Sequence, residues 1–388
     1  MFSSQSAEVS LDAPCRALTA VRADKVENRF IVGSCSVRQP NHLHVVRFHS
    51  EVNELGIDAT IPHDTGPVGV VCTSPNDPSM VLTAAEQNSA AVLWKIPRTT
   101  MEQSEGLQYD PEEDDALGVA SSVSMEEVLM LEPRGGSSLV DIVWRDTSEE
   151  PTASPGQVLT LDQEGRLAQW DISTGVAESN RSIDGLNQQK RSTAPPRVAW
   201  DPHNGDAVAV SRGTSVAILD LRADTSIPSG TVESFQAHRY GITDLDYNPN
   251  KPYVLATSGQ DSLLKFWDLR LAKHPLLVAR GGHSHWACRA KYNPFHDQLV
   301  LSSGTDSMVN LWRVSTISSA PLLALTGDDE NMSEISAPNV RVERYDHGEA
   351  VYGASWSAAD AWIYMTLGYD GKAVLNHVPS KEKYKILL

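Results

Sequence analysis

The sequence predicts an all-β fold, a seven-bladed β-propeller with four-stranded antiparallel blades, formed by the whole chain from residue 1 to 388. Three observations predict it. First, residues 238–270, HRYGITDLDYNPNKPYVLATSGQDSLLKFWDLR, align without a gap on 283–315, HSHWACRAKYNPFHDQLVLSSGTDSMVNLWRVS. Equivalent residues lie 45 apart: His238 and His283, Tyr247 and Tyr292, Pro249 and Pro294, Asp261 and Asp306, Trp267 and Trp312. Second, each unit holds short apolar runs rich in β-branched and aromatic residues, separated by Gly, Asp, Asn or Pro turns, as strands are. Third, no stretch shows helical periodicity. A period near 45 residues made of short strands is the pattern of repeated blades around a ring.

The units follow in chain order. RALTAV…RFIVGSC…HLHVVRF lacks the signature residues but keeps three short apolar strands. The second unit starts at His63 and ends at Trp94, with Asn88 in the Asp position. The third ends at Trp170-Asp171, with Glu164 in that position. The fourth ends at Leu219-Asp220-Leu221-Arg222, parallel to Trp267-Asp268-Leu269-Arg270 of the fifth. The sixth is the 283–315 copy. The seventh starts at His347, with Trp356 nine residues on, Asp370 at 23, and Asn376 where Trp is expected. A ring must also be closed, because an isolated blade exposes its edges. Either the segment before Arg16 or the apolar tail YKILL can supply the last strand, and the tail is the expected one.

Acidic runs interrupt this frame. Residues 99–127 include DPEEDDA and no Lys or Arg over 99–125; they are expected to form a disordered loop. Residues 326–340 are expected to form another, which explains why His283 and His347 are 64 apart. TSEEPTASPG (147–156) reads as a shorter loop.

The formal charge is −18, which disfavours nucleic-acid or anionic-membrane binding through net charge. Cys15, Cys35, Cys72 and Cys288 are scattered, so free thiols in a reducing compartment are expected rather than a disulfide framework. There is no secretory signal pattern at the N-terminus and no apolar run long enough to span a membrane. The expected location is therefore cytosolic, with membranes reached through partners. No GxSxG, P-loop or HExxH pattern occurs, and an enzyme is not expected.

GGHSHWACRAKYNPFHD (281–297) holds His283, His285, Cys288, His296 and Asp297, a cast that could suit zinc. The repeat argues otherwise. His283 precedes the unit's first strand and His296 follows it. A strand of about six residues at roughly 3.3 Å each puts them some 20 Å apart, beyond a zinc ligand set. His42 and His44 share one strand face without further ligands. No metal and no cofactor are expected.

The His…Asp…Trp-Asp phrase resembles WD40 repeats. That resemblance implies a buried hydrogen-bonded set in each complete blade: His238, Thr257, Asp261 and Trp267; His283, Ser302, Asp306 and Trp312; and His347, Thr366 and Asp370. The donors and acceptors are complementary without water. It also implies a binding rim of residues just after the His and just before the turn Asp: Arg239, Tyr240, Gln260, His285, Trp286, Thr305, Glu349 and Tyr369. Trp286 leads these, because it lies outside the repeat's Trp position and Trp, Tyr and Arg dominate binding hot spots.

The C-terminal part is more specific. GGHSHWACRAKYNPFHDQLVLSSGTDSMVNLW, VSTISSAP and VYGASWSAADAWIYMTLGYDGKAVLNHVPSKEKYKILL resemble the EARP- and GARP-complex-interacting protein family, best over 236–388 and more loosely upstream. The resemblance implies a monomeric, non-enzymatic scaffold that binds the EARP and GARP tethers. It would help place them on membranes, in endosomal recycling and endosome-to-Golgi retrograde transport. The expected partners are thus tether subunits at the trans-Golgi network and endosomes, with neither nucleic acid nor direct membrane insertion. An alternative is a substrate receptor of a cullin-4 ubiquitin ligase, since Trp267-Asp268-Leu269-Arg270 has the Trp-Asp-x-Arg form of that class.

Overall fold

The computed structural model describes residues 6–97, 100, 123–146, 156–182, 194–223, 231–321 and 339–387. These form seven four-stranded antiparallel sheets. Six are built from consecutive strands, starting at Cys15–Ala20, Val68–Thr73, Leu139–Trp144, Arg197–Trp200, Ile242–Tyr247 and Ala287–Tyr292. The seventh takes Val351–Trp356, Ile363–Gly368 and Lys372–His377, and adds Ala7–Ser10 as its outer strand. The first strand of each sheet contacts the first strands of both neighbours, so these strands line the axis and the ring closes.

The ring is closed by the N-terminus, which corrects the expectation for the tail. Ala7 pairs with Leu375 and Ser10 with Lys372. The tail is instead a helix, Ser380–Leu387, which also corrects the reading of no helix. SKEKYKIL suits a helix physically: Lys385 bonds Glu382 one turn earlier at 2.8 Å, and Ile386 packs against the last two blades. Glu382 is buried and ion-paired with the buried Arg313 guanidinium.

The repeat explains the packing. Apolar side chains alternate between the two faces of a strand, so each blade serves two neighbours. Leu255 joins the cluster with the fourth blade, and adjacent Ala256 joins the one with the sixth. The buried apolar residues fall into seven clusters, one at each blade-to-blade interface. Polar bonds set the register between inner strands. Asp141 accepts from Val198 N (3.0 Å), Asp246 from Tyr292 N (2.8 Å) and Ser355 Oγ from Ala20 N (3.1 Å).

The acidic stretches expected as loops fall largely outside the described residues. At their ends the boundaries move inward. Glu126 and Glu127 already pair with Lys95 and Trp94, and Asn339 and Val340 pair with Val314 and Arg313.

Candidate partner-binding face

The polar network of the fifth blade is built from four segments. His238 precedes the first strand, Thr257 lies on the second, Asp261 lies in the following turn, and Trp267 lies near the end of the third. His238 Nδ1 donates to Asp261 Oδ1 (2.7 Å), and Thr257 Oγ1 donates to Nε2 (2.8 Å) while accepting from Trp267 Nε1 (3.0 Å). The sixth blade repeats it: His283 to Asp306 at 3.0 Å, Ser302 to His283 at 2.9 Å and Trp312 to Ser302 at 2.9 Å. Burial pushes both imidazoles down and keeps them neutral. Burial alone would raise the Asp261 and Asp306 carboxyls, but the bonds from His238 and His283 hold them low.

Gly304 is required here. A Cβ on it would stand 2.5 Å from His283 Nδ1 and 2.4 Å from Asp306 Oδ1. The Gly of GTDS therefore makes room for the network as well as for the turn.

The other blades depart from this set in instructive ways. In the second, Thr83 bridges His63 (2.8 Å) and Trp94 (2.9 Å), and the Gly66 carbonyl replaces the turn carboxylate at His63 Nδ1 (2.7 Å). In the third, Trp170 donates to Thr160 (2.9 Å), and Asp162 rather than Glu164 caps the turn, accepting from Glu164 N and Arg166 N. In the seventh the expected set is not assembled. The ring nitrogens of His347 and Nδ2 of Asn376 are buried with no hydrogen bond of normal geometry among the described residues. Thr366 turns its hydroxyl to the Val374 carbonyl (3.3 Å). With Asn376 in place of Trp, the seventh blade has no indole N–H to add to the set.

Ser302, His283 and Asp306 share the order of groups of a hydrolytic triad, yet the arrangement is structural. Ser302 is fully buried, and its oxygen already accepts the Trp312 indole. A substrate carbonyl cannot reach it. The remaining candidates for zinc are also engaged elsewhere. His296 stacks on Trp362 with centroids 4.5 Å apart, and Asp297 accepts from Asn248 and Ser319. His44 bonds Thr60 at 3.1 Å. Among the described residues no three His, Cys, Asp or Glu side chains converge as a metal site. All four cysteines are free, and burial pushes Cys15 up to about 12 and Cys35 and Cys288 up to about 11.

The rim residues lie beside the His–Asp pairs. Tyr240 is 50% exposed, Trp286 39% and Tyr369 39%; Arg239, His285 and Glu349 are exposed too. Gln260 and Thr305 are half-buried and brace the rim: Gln260 Oε1 accepts from Gly241 N (3.1 Å), and His285 Nδ1 bonds Thr305 Oγ1 (2.6 Å). His285 also stacks on Trp286 (5.3 Å), and Arg239 covers Tyr240 (5.4 Å). Exposed rings are thus held in fixed orientations.

Two rim residues escaped the sequence reading. The Arg16 guanidinium lies over both Tyr352 (4.8 Å) and Tyr369 (5.0 Å), joining the seventh blade to the first. The signal was present. Thr243, Cys288 and Tyr352 each stand five residues after the repeat His, and each sits at a β-bulge near the start of an inner strand. Arg16 occupies the matching bulge in a blade that lacks the His. Bulges re-aim side chains, so this position deserved weight as a surface position.

A closed ring of four-stranded blades carrying the His–Thr/Ser–Asp–Trp network is a WD-repeat β-propeller. The chain belongs to the EARP and GARP complex-interacting protein family: the EIPR1 beta-propeller family model matches residues 3–312. It is 31% identical over 400 residues to EARP and GARP complex-interacting protein 1 of Homo sapiens, covering 97% of each chain. It is 32% identical to the EARP-interacting protein homolog of Danio rerio, again over 97% of both. It is also 27% identical to the WD repeat-containing protein DWA2 of Arabidopsis thaliana, over 94% of this chain and 93% of that one.

Proposed function

We propose that the protein is a non-enzymatic interaction scaffold that binds the EARP and GARP tethering complexes and supports their membrane recruitment. The processes served are endosomal recycling and endosome-to-Golgi retrograde transport. The observation that carries this reading is likeness along the whole propeller, 97% of both chains, to proteins named for interaction with these complexes. The contact surface is the rim of Arg239, Tyr240, Gln260, His285, Trp286, Thr305, Glu349 and Tyr369, extended by Arg16 and Tyr352. Prealigned aromatic and Arg side chains suit binding, because little side-chain freedom is lost on contact. No helix among the described residues is long and apolar enough to cross a membrane, which fits recruitment through a partner.

The ligase-receptor alternative has less support. Arg270 forks onto Asp268 through Nε (2.9 Å) and Nη2 (2.6 Å), while Asp268 caps the local turn by accepting from Arg270 N (3.0 Å), and Arg222 and Asp220 form the same pair. The Asp–Arg pairs are accounted for within the chain. Affinity purification of the full chain tests the proposal. Recovery of tether subunits is expected; recovery of a cullin-4 adaptor with no tether subunit overturns it.

A further inference from the structure

The outer strand of the fifth blade, Leu277–Ala279, has three residues, whereas those of the other blades have four to nine. Its outer edge pairs with no strand among the described residues. Its shortness leaves a groove of about 530 Å³ between it and the two outer strands of the sixth blade. Buried Trp312, Val314 and Ala279 and half-buried Leu277 line it as one apolar surface. At one end stand the exposed guanidinium groups of Arg280 and Arg341, and Arg341 is held across the gap by the Gly281 carbonyl (2.7 Å).

We infer that this groove binds an extended peptide segment of a protein partner in which apolar and acidic residues alternate. Added along the edge of Leu277–Ala279, such a segment extends the blade by one strand, with its backbone groups supplying affinity. Alternate side chains then point into the groove against Leu277, Val314 and Trp312. The charge argument selects the acidic class. The chain carries a formal −18 overall, yet Arg280 and Arg341 place two exposed positive charges at this groove. A local reversal of sign steers acidic partners to it. The site is separate from the rim proposed above and does not rest on the tether reading.

Fluorescence anisotropy tests this with a fluorescein-labelled octapeptide of alternating Asp and Leu, titrated with the full chain. Binding in the range of roughly 1–100 µM is expected, weakened about tenfold or more by Arg280→Glu, and further by Arg280→Glu with Arg341→Glu. A peptide with Ser in place of Leu binds about tenfold more weakly. Trp286→Ala with Tyr240→Ala leaves the affinity unchanged. Arg280→Glu alone guards against misfolding, since no hydrogen bond or ion pair is formed by that side chain among the described residues. Absence of binding at about 1 mM wild-type chain, equal binding by the charge-reversed variants, or loss of binding in the Trp286/Tyr240 variant each overturns the inference.

Discussion

Thr257 and Ser302 each join an imidazole to an indole through one hydroxyl oxygen. Removing either hydroxyl strands a buried indole N–H and a buried imidazole nitrogen, at a cost of about 1–3 kcal/mol. Thr257→Val and Ser302→Ala should lower the urea unfolding midpoint accordingly. His347 gives the contrast. Its nitrogens are already buried without a hydrogen-bond partner among the described residues, so His347→Leu should cost much less than His283→Leu in the same measurement. The pH dependence has a definite sign. His63, His238, His283 and His44 are held neutral by burial, His44 down to about 4. Unfolded, each takes a proton near pH 6.5. The unfolded state therefore binds more protons below that pH, and these histidines should make stability fall from about pH 6.5 toward 4, with a flat region between about 7 and 8 before the raised thiols of Cys15, Cys35 and Cys288 lower it again. Urea midpoints at pH 7.5 and 5.0 check this. At this scale the sequence was readable where His, Ser or Thr, Asp and Trp all occur. It misled at the seventh blade, where Asn376 replaces Trp and the His347 ring nitrogens have no hydrogen bond among the described residues.

Two terminal segments hold the seventh blade, and their roles were harder to read. Ala7–Ser10 closes the ring with only four residues and no signature, so nothing in AEVS marks it as a strand. YKILL looked like a strand because its apolar residues are consecutive, but the Glu382–Lys385 spacing and the burial of Glu382 beside Arg313 place it in a helix. Seven blades were legible from the 45-residue period and turn residues; the closing strand depends on a long-range pairing that no local pattern encodes. Glu382→Ala removes the carboxylate facing the buried Arg313 and should destabilise the fold by about 3–5 kcal/mol. Deleting residues 1–11 should lower the melting temperature and promote association, since it exposes the edge of Lys372–His377. Thermal melts and size-exclusion chromatography read these outcomes.

The whole molecule is a closed ring of blades with its polar networks in the interior and, as proposed above, recognition at its surface. His238 and His283 bond Asp261 and Asp306 in the interior, and the exposed rings of Tyr240, Trp286 and Tyr369 lie beside the repeat His positions. That division was partly visible beforehand: the His-to-Trp spacing separated structural histidines from His285-Trp286, and the rim aromatics followed from their place beside the repeat His. Arg16 was harder to place: the five-residue offset from the repeat His marks Tyr352, but the first blade lacks the His from which to count it. The account turns on whether the rim binds the tether. Purified tether complex, titrated by biolayer interferometry against wild type and against Trp286→Ala with Tyr240→Ala, measures this most directly. The account predicts saturable binding by wild type and about 10-fold or greater weakening in the variant, with an unchanged melting temperature. Equal binding by both proteins would contradict it.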